Sequence, residues 1–167
     1  MGQTTKKKVP QKPLYTTFDE VESLFFTLVT DDMYMELTKE DTEQIVDEIL
    51  IQAIPWFKFP KEKNLYDFDL TNRHFNCLLD TEEQLILCKY MTMVWVQEQM
   101  TTIDLIRQKY SGSDFKFTSQ ASHLKQLVTL KQELEREAYH LQSNYYMKGK
   151  DDGGVYRSTL ARIMEVY

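Results

Sequence analysis

The sequence predicts an all-α protein, and three observations support this class. Only 5 Gly and 4 Pro occur among the 167 residues, well below the roughly 12% that these two residues contribute to average proteins. Sandwiches and barrels need many more tight turns than so few chain breakers allow. Apolar residues also recur at three- and four-residue spacing over several long segments, which is the period of an amphipathic helix. Finally, the hydrophobic content of 42% and the charged content of 28% favour a folded domain.

The first segment, residues 1–16, is predicted to be a basic N-terminal arm. It contains Lys6, Lys7, Lys8 and Lys12 and no acidic residue. The whole chain has a net charge of −6, so the residues outside these four lysines carry −10. A basic arm on an acidic body suits an acidic protein, an acidic lipid surface or nucleic acid, and it also suits a solvated leader. Broad DNA binding by the body is disfavoured, because neutralisation of phosphates dominates such affinity.

Residues 17–148 are predicted to form the helical body. Thr17 and Glu20 have the spacing of a capping box, in which each side chain satisfies a backbone amide of the other residue. The apolar period that follows predicts a first helix up to about Val29.

A second helix is predicted from Thr38 to Pro55. Thr38 has the N-cap chemistry, and Pro55 disfavours a helical conformation at the residue before it. Residues 56–76 have no clean period, so we expect a packed surface loop that includes at most a short strand or a helical turn. Such a loop either contacts a neighbouring protein or covers the core.

Two long helices over about 81–147 are predicted to form an antiparallel hairpin. Asp80 or Thr81 caps the first helix, Gly112 lies in the turn, and Thr118 or Ser119 begins the second helix. Each helix has about 30 residues and would be about 45 Å long, whereas a compact domain of this length is about 40 Å across. The hairpin is therefore expected to span or overhang its own domain. Adjacent apolar residues widen the stripe of the first helix, so we expect it to be buried on more than one side; they are Ile86, Leu87, Val94 and Leu105.

Residues 149–167 are predicted to be a flexible linker followed by a short docking helix. Three of the five glycines lie between residues 149 and 154, and this composition is typical of a linker. The residues after it place apolar side chains at helical spacing: Tyr156, Leu160, Ile163, Met164 and Tyr167. A helix this short needs a surface to pack on, which is either its own chain or a neighbouring subunit.

The sequence contains no recognisable catalytic, cofactor or metal motif. Its three histidines are scattered, and Cys77 and Cys88 lack the two-residue gap of a zinc site. Phosphate-binding glycine loops and nucleophile elbows are absent. We therefore expect neither an enzyme nor a cofactor. No apolar run is long enough for a membrane span, no secretory signal is evident, and two cysteines fit a reducing compartment.

Two segments of the chain resemble small virion proteins of tailed bacteriophages. The first runs Phe75-Asn-x-x-Leu79-x-x-Glu82-Glu83-x-x-Ile86-Leu87-x-x-x-Met91-x-x-x-Trp95-Val96. The second runs Lys109-Tyr-Ser-Gly-Ser-Asp-Phe-Lys-Phe-Thr-Ser-Gln-Ala-Ser-His-Leu124. The resemblance covers about residues 70–145 and is a similarity of pattern without a strict motif.

The resemblance implies a head–tail connector, or neck adaptor, located in the virion and assembled in the cytoplasm of a host bacterium. Proteins of this kind are helical, form a dodecameric ring between the portal protein and the next neck or tail protein, and surround the passing genomic DNA without sequence-specific binding. They carry no catalytic residues. Two alternatives stay open at this stage: another virion completion or tail protein, or a small helical phage regulator that binds nucleic acid or a host protein.

Overall fold

The computed structural model describes residues 14–29, 33–58, 60–61, 63–109, 117–150 and 156–158. These residues are mostly helical, which confirms the predicted class in its main feature, although two small sheets are also present. In chain order the elements are β1 (Thr16–Thr17), α1 (Phe18–Leu28), α2 (Met33–Glu36), α3 (Lys39–Ala53), a 3-10 turn (Ile54–Trp56), β2 (Phe68–Asp69), β3 (His74–Phe75), α4 (Thr81–Lys109), α5 (Phe117–Met147), β4 (Lys148–Lys150) and β5 (Tyr156–Ser158).

The predicted helix starts are confirmed by their capping bonds. The backbone amide of Thr17 donates to the Glu20 carboxylate at 3.0 Å, and the Glu20 amide donates to the Thr17 hydroxyl at 3.3 Å. Thr38 accepts from the amide of Asp41 at the start of α3. Asp80 precedes α4 and accepts from the amide of Glu83 at 2.9 Å. These bonds satisfy amides that the first helical turn leaves unpaired.

The segment between α3 and α4 is more ordered than the predicted surface loop. Its strands β2 and β3 pair antiparallel, and β3 also pairs with β1, so the sheet has the order β1-β3-β2. The Asp69 carboxylate accepts from the amides of Thr71 and Asn72 and so closes the turn between β2 and β3. Side-chain bonds to the backbone of this kind stabilise tight turns without a repeating sequence pattern, which is why periodicity did not predict the strands.

The core lies where α1, α3 and the sheet pack on the first half of α4. Aromatic side chains meet at its centre, with the rings of Phe18 and Phe75 5.0 Å apart between centroids. Cys88 is fully buried among these side chains, as predicted. Burial raises the pKa of its thiol to about 12, so this cysteine is a neutral core residue. The buried α4 residues that face α1, α3 and α5 include Ile86, Leu87, Tyr90, Met91, Met93 and Val94.

The helices α4 and α5 pack against each other in opposite directions. Near the start of α4, Glu82 pairs with Lys148, which directly follows α5. One to two turns farther along α4, Lys89 pairs with Glu137 at 3.0 Å. The partner residues thus move backwards along α5 as α4 advances, which is the antiparallel arrangement.

The structure after α5 differs in part from the predicted linker and tail helix. Lys148–Lys150 and Tyr156–Ser158 form a two-stranded antiparallel sheet, with Gly149 opposite Arg157. Tyr156 is therefore in a strand and does not begin a helix, and Gly149 and Lys150 are in a strand rather than a linker. Tyrosine is common in strands. The helical period of the sequence does not reveal the strand Lys148–Lys150 with which Tyr156 pairs.

Candidate interaction surface

The long helices are buried along only part of their length. In α4 the buried residues extend from Glu83 to Val96, and in α5 the buried ones are Ala138, Gln142 and Tyr145. Among the side chains that the structure describes in residues 97–109 and 117–137, none is buried. We call these two stretches the distal half. Val96 and Lys109 are 13 positions apart, so the distal half extends about 20 Å along α4.

The distal half exposes apolar side chains that a soluble helix usually covers. Leu105 is 60% exposed, Leu130 is 40% exposed and Val128 is 36% exposed. The prediction that Leu105 widens a buried stripe is therefore wrong for this subunit. The reason is that the buried residues of α4 end at Val96, and beyond it α5 is the long helix that packs along α4, which leaves Leu105 exposed. Exposed apolar residues on paired helices are typical of an interaction site.

A second exposed feature is a groove between α5 and the 3-10 turn, lined by aromatic side chains. Trp56 is 43% exposed and Tyr139 is 62% exposed, while Tyr90 forms the buried floor. We call this site the aromatic groove; it has a volume of about 400 Å³. Its other lining residues are Lys58, Gln132, Glu135, Arg136 and Gln142.

Gln142 places a hydrogen-bond donor in the aromatic groove. Its Oε1 accepts from the backbone amide of Lys58 at 2.9 Å and from the Tyr90 hydroxyl at 3.2 Å. Since a backbone amide only donates, these bonds fix the orientation of the Gln142 side chain. The residue as a whole is only 7% exposed.

Tyr90 keeps its proton and therefore donates to Gln142. Burial raises the pKa of Tyr90 to about 12, with smaller contributions from Glu135 and Tyr139. The contribution of Glu135 places its carboxylate close to the groove floor. The groove thus combines aromatic rings with one carboxylate, Glu135, and two cationic side chains, Lys58 and Arg136.

A third feature is a cluster of four carboxylates around Arg73. The Arg73 Nη2 atom donates to both carboxylate oxygens of Glu22 at 2.8 Å. Its Nε atom donates to Asp47 at 3.0 Å, and Nη1 contacts Asp19 at 2.7 Å and Glu43 at 3.4 Å. We call this set the carboxylate cluster. It joins α1, α3 and the β2–β3 turn, and Arg73 itself adopts φ 50°, a left-handed conformation that is unusual for arginine.

Within the carboxylate cluster, burial favours the neutral form of Glu22. Burial, together with the hydrogen bond to Asp47, raises the pKa of Glu22 from its ordinary value of 4.5 to about 8, and Arg73 opposes this shift. The folded chain therefore holds a proton on Glu22 that the unfolded chain releases. It follows that the stabilising contribution of this proton is complete below pH 4.5 and is lost as the pH rises through about 8.

We predict that Glu22→Gln flattens the pH dependence of stability. In the wild type the free energy of unfolding should fall between pH 5 and 8, with a contribution from Glu22 of up to about 1.4 kcal/mol per pH unit. The variant lacks the titrating group, so that contribution disappears. Urea unfolding at half-unit pH intervals measures the slope. Glu40→Gln, an exposed carboxylate on α3, is the matched control and should keep the wild-type slope; equal slopes in wild type and Glu22→Gln would contradict the prediction.

A fourth feature is a buried carboxylate at the start of α4. Glu83 is 0% exposed and accepts from the Asp80 amide at 2.7 Å, from the Lys63 ammonium and from the Tyr145 hydroxyl. Lys61 lies 3.9 Å from the centre of the Tyr145 ring. This network ties the start of α4 to the end of α5 and to the segment before β2, and every bond in it involves a side chain that is at least partly buried.

The residues predicted to form interaction sites lie mostly outside the described residues. This holds for Lys6, Lys7, Lys8 and Lys12 of the arm, and for Leu160, Ile163, Met164 and Tyr167 of the tail. Tyr156 is described, and it lies in β5. The structure therefore brings none of these residues together.

The aromatic groove and the carboxylate cluster were not predicted from the sequence. Trp56 lies in the 3-10 turn, more than 80 positions before Tyr139 and Gln142 of α5, so no local pattern connects the two sides of the groove. One signal was present for Trp56, because it directly follows Pro55 in a segment rich in aromatic residues. Arg73 offered no comparable signal, since its partners lie 26 to 54 positions away.

Comparison of the chain with protein-family models, with curated proteins and with solved structures found no match. Within the described residues, no group of three or more His, Cys, Asp or Glu side chains has a geometry that could hold a metal ion. The helices described also include none with the length and apolar character needed to cross a membrane.

The first segment of the phage resemblance maps onto the packed end of the molecule. Phe75, Leu79, Ile86, Leu87 and Met91 are all buried in the core. That part of the pattern therefore encodes the packing of α4. The second segment runs from the last residue of α4 into the first part of α5, and its residues 110–116 lie outside the described residues.

Proposed function

We propose that this chain is a structural subunit of a tailed-phage neck. In this role it is a head–tail connector adaptor that forms a ring, a dodecamer in the resembling proteins, between the portal protein and the next neck or tail protein. The genomic DNA passes through the ring without sequence-specific contacts. The sequence resemblance suggests the role, and the observation that carries it is the distal half, a pair of packed helices that leaves the core with its apolar side chains uncovered.

The exposed distal half supports a role in assembly. A subunit that worked alone would be more stable if Leu105 and Leu130 were buried, since full burial of a leucine side chain contributes about 1.5–3 kcal/mol to the free energy of unfolding. Here both side chains lie in the distal half, where none of the described side chains is buried and where another molecule can cover them. Interfaces of lasting assemblies are rich in such apolar residues.

The charge of the body supports a channel that DNA passes without adhering. Outside the four lysines of the arm, the chain carries −10. Like charge repels the phosphate backbone, and this repulsion disfavours adsorption of DNA on the body. A structural ring subunit also has no need of a catalytic centre, and we propose no reaction for this chain.

We predict that the full-length chain binds the portal protein through the distal half. Light scattering of the chain alone and mixed with the portal protein should show a ring-sized complex in the mixture. The double variant Leu105→Glu and Leu130→Glu should weaken that complex at least tenfold, because it places charges on the apolar surface. The matched control is Tyr66→Glu and Leu70→Glu, which changes two side chains that are 67% and 54% exposed at the other end of the molecule.

The control variant should bind as the wild type does. Thermal unfolding should give both double variants the melting temperature of the wild type, because all four side chains are exposed. A chain that stays monomeric, ignores the portal protein and binds DNA in a salt-sensitive manner would contradict the proposal and would favour a nucleic-acid-binding regulator.

A further inference from the structure

We propose that the outer face of α5 binds the same face of a second copy of the chain, in an antiparallel, two-fold symmetric contact centred on Thr129. This contact goes beyond the proposed function and does not depend on it, because a two-fold contact closes at two copies, whereas a ring repeats a head-to-tail contact. A groove along α5, the order of the charges beside it and a small residue between those charges support the contact.

The groove on α5 has the shape that receives another helix. It has a volume of about 310 Å³, and all six of its lining residues are exposed. These residues form two adjacent rows with a spacing of four positions. One row is Lys125, Thr129 and Glu133, and the other is Ser122, Gln126 and Leu130. Rows at this spacing are the ridges of a helix surface, and insertion of such a ridge into the matching groove of another helix is the commonest mode of helix packing.

Charge complementarity identifies the occupant of the groove as a second copy of α5. Lys125 is four positions before Thr129, and Glu133 is four positions after it. Each charged residue is therefore about 6 Å along the axis from the middle of the row. When two copies of the row lie side by side in opposite directions, Lys125 of each copy is beside Glu133 of the other. A parallel pair would place like charges side by side, which is unfavourable.

The two charged side chains are available for this contact. Within the described residues, neither the Lys125 ammonium nor the Glu133 carboxylate forms an ion pair. They are eight positions apart in the sequence, about 12 Å along the helix axis, so they do not pair with each other. The row of Ser122, Gln126 and Leu130 contains no charge that would repel a copy.

Thr129 and Leu130 provide the packing at the centre of the contact. Thr129 is short, so two α5 helices can approach closely where the symmetry axis passes between them. Its hydroxyl donates to the Lys125 carbonyl oxygen at 3.1 Å and needs no partner from the copy. Leu130 is 40% exposed, and the contact covers this apolar side chain. One helix from each copy gives an interface smaller than the roughly 1,200–2,000 Å² of stable complexes, so we expect a weak, reversible dimer.

The test reverses each charge separately and then combines the variants. Lys125→Glu places two carboxylates side by side at both ends of the contact, and Glu133→Lys places two ammonium groups there. Self-association of the full-length chain is followed by sedimentation over a concentration series. It should be at least about tenfold weaker in each variant than in the wild type. An equimolar mixture of the two variants should recover wild-type association, because the two reversed charges then face each other and the two unaltered charges do the same.

Two further measurements separate this contact from a general effect of charge. Lys39→Glu makes the same change in net charge on α3, at a side chain that is 84% exposed, and should associate as the wild type does. Thr129→Cys lies at the symmetry axis and should form a covalent dimer on oxidation. Lys125→Cys and the wild type should not, because the two copies of position 125 are about 12 Å apart.

Several outcomes would overturn the inference. They are a wild type that stays monomeric over the whole series, single variants that associate as the wild type does, and a mixture of variants without recovery. Stronger association of Lys125→Glu with the wild type than of the wild type with itself would indicate a parallel contact and would also overturn it. All these measurements use the chain alone, so their outcome is separate from that of the portal-binding experiment.

Discussion

Replacement of Arg73 with alanine is expected to lower the free energy of unfolding by about 3–5 kcal/mol, which is the usual cost of removing one partner from a buried ion pair. Glu22 and Asp47 are 7% and 16% exposed in their side chains, so the Asp47 charge and the unpaired Glu22 carboxyl group would remain in a poorly solvated site. Asp19 is 70% exposed and contributes little, because solvent screens it. Urea unfolding at pH 7 measures the change.

Two control variants separate the cluster from ordinary surface charge. Lys39 pairs with Glu43 but is 84% exposed, so Lys39→Ala should cost no more than about 0.5 kcal/mol. Arg73→Lys keeps the charge but loses the planar guanidinium that donates to both Glu22 and Asp47. Its loss of unfolding free energy should therefore lie between those of Arg73→Ala and Lys39→Ala. Alanine retains the penalty of a positive φ, so strain relief does not mask the loss. An Arg73→Ala protein as stable as Lys39→Ala would show that the cluster contributes nothing.

The second large effect is expected at Glu83. We predict that Glu83→Ala lowers the free energy of unfolding by about 3–5 kcal/mol, because it removes the acceptor of the Lys63 ammonium and the Tyr145 hydroxyl and also breaks the cap of α4. Chemical denaturation monitored by circular dichroism measures this change. The neighbouring Glu82→Ala is the matched control, since Glu82 pairs with Lys148 at a partly exposed site and should cost about 1 kcal/mol or less.

A finer substitution tests the internal order of the Glu83 network. Tyr145→Phe keeps the ring beneath Lys61 and removes only the hydroxyl that donates to Glu83, so it should cost about 1–2 kcal/mol. The Glu83→Ala effect should therefore exceed the Tyr145→Phe effect. If Tyr145→Phe were the more costly of the two, the hydroxyl of Tyr145 would contribute more to stability than the Glu83 carboxylate, and the carboxylate would not be the centre of the network.

The sequence predicted the parts of the fold that depend on neighbouring residues. The caps at Thr17, Thr38 and Asp80 each involve residues three positions apart, and such spacings are visible in a single sequence. The same is true of the helical period, which predicted the long helices to within a few residues. The turn that pairs β2 with β3 depends on Asp69 and on long-range bonds of Arg73, so it has no periodic signature.

Features that depend on three-dimensional proximity were missed or misjudged. Leu105 continues the apolar stripe of α4, but its burial depends on where α1 and α3 end, which the stripe itself does not encode. The aromatic groove draws Trp56 from the 3-10 turn and Tyr139 and Gln142 from α5, and the packing of α5 beside the turn brings them together. Tyr156 fits both a helix and a strand, and its partner strand decides between them.

The position of the distal half beyond the core has a consequence for how the sequence can vary. Residues such as Leu105 and Leu130 are exposed, so substitutions there should change the free energy of unfolding by no more than about 0.5 kcal/mol. Substitutions at Arg73 or Glu83 act on folding and leave the distal surface unaltered. Substitutions that affect folding and substitutions that affect binding of a partner therefore lie at different ends of the same two helices. The distal half can vary in sequence while the residues of the packed end stay the same.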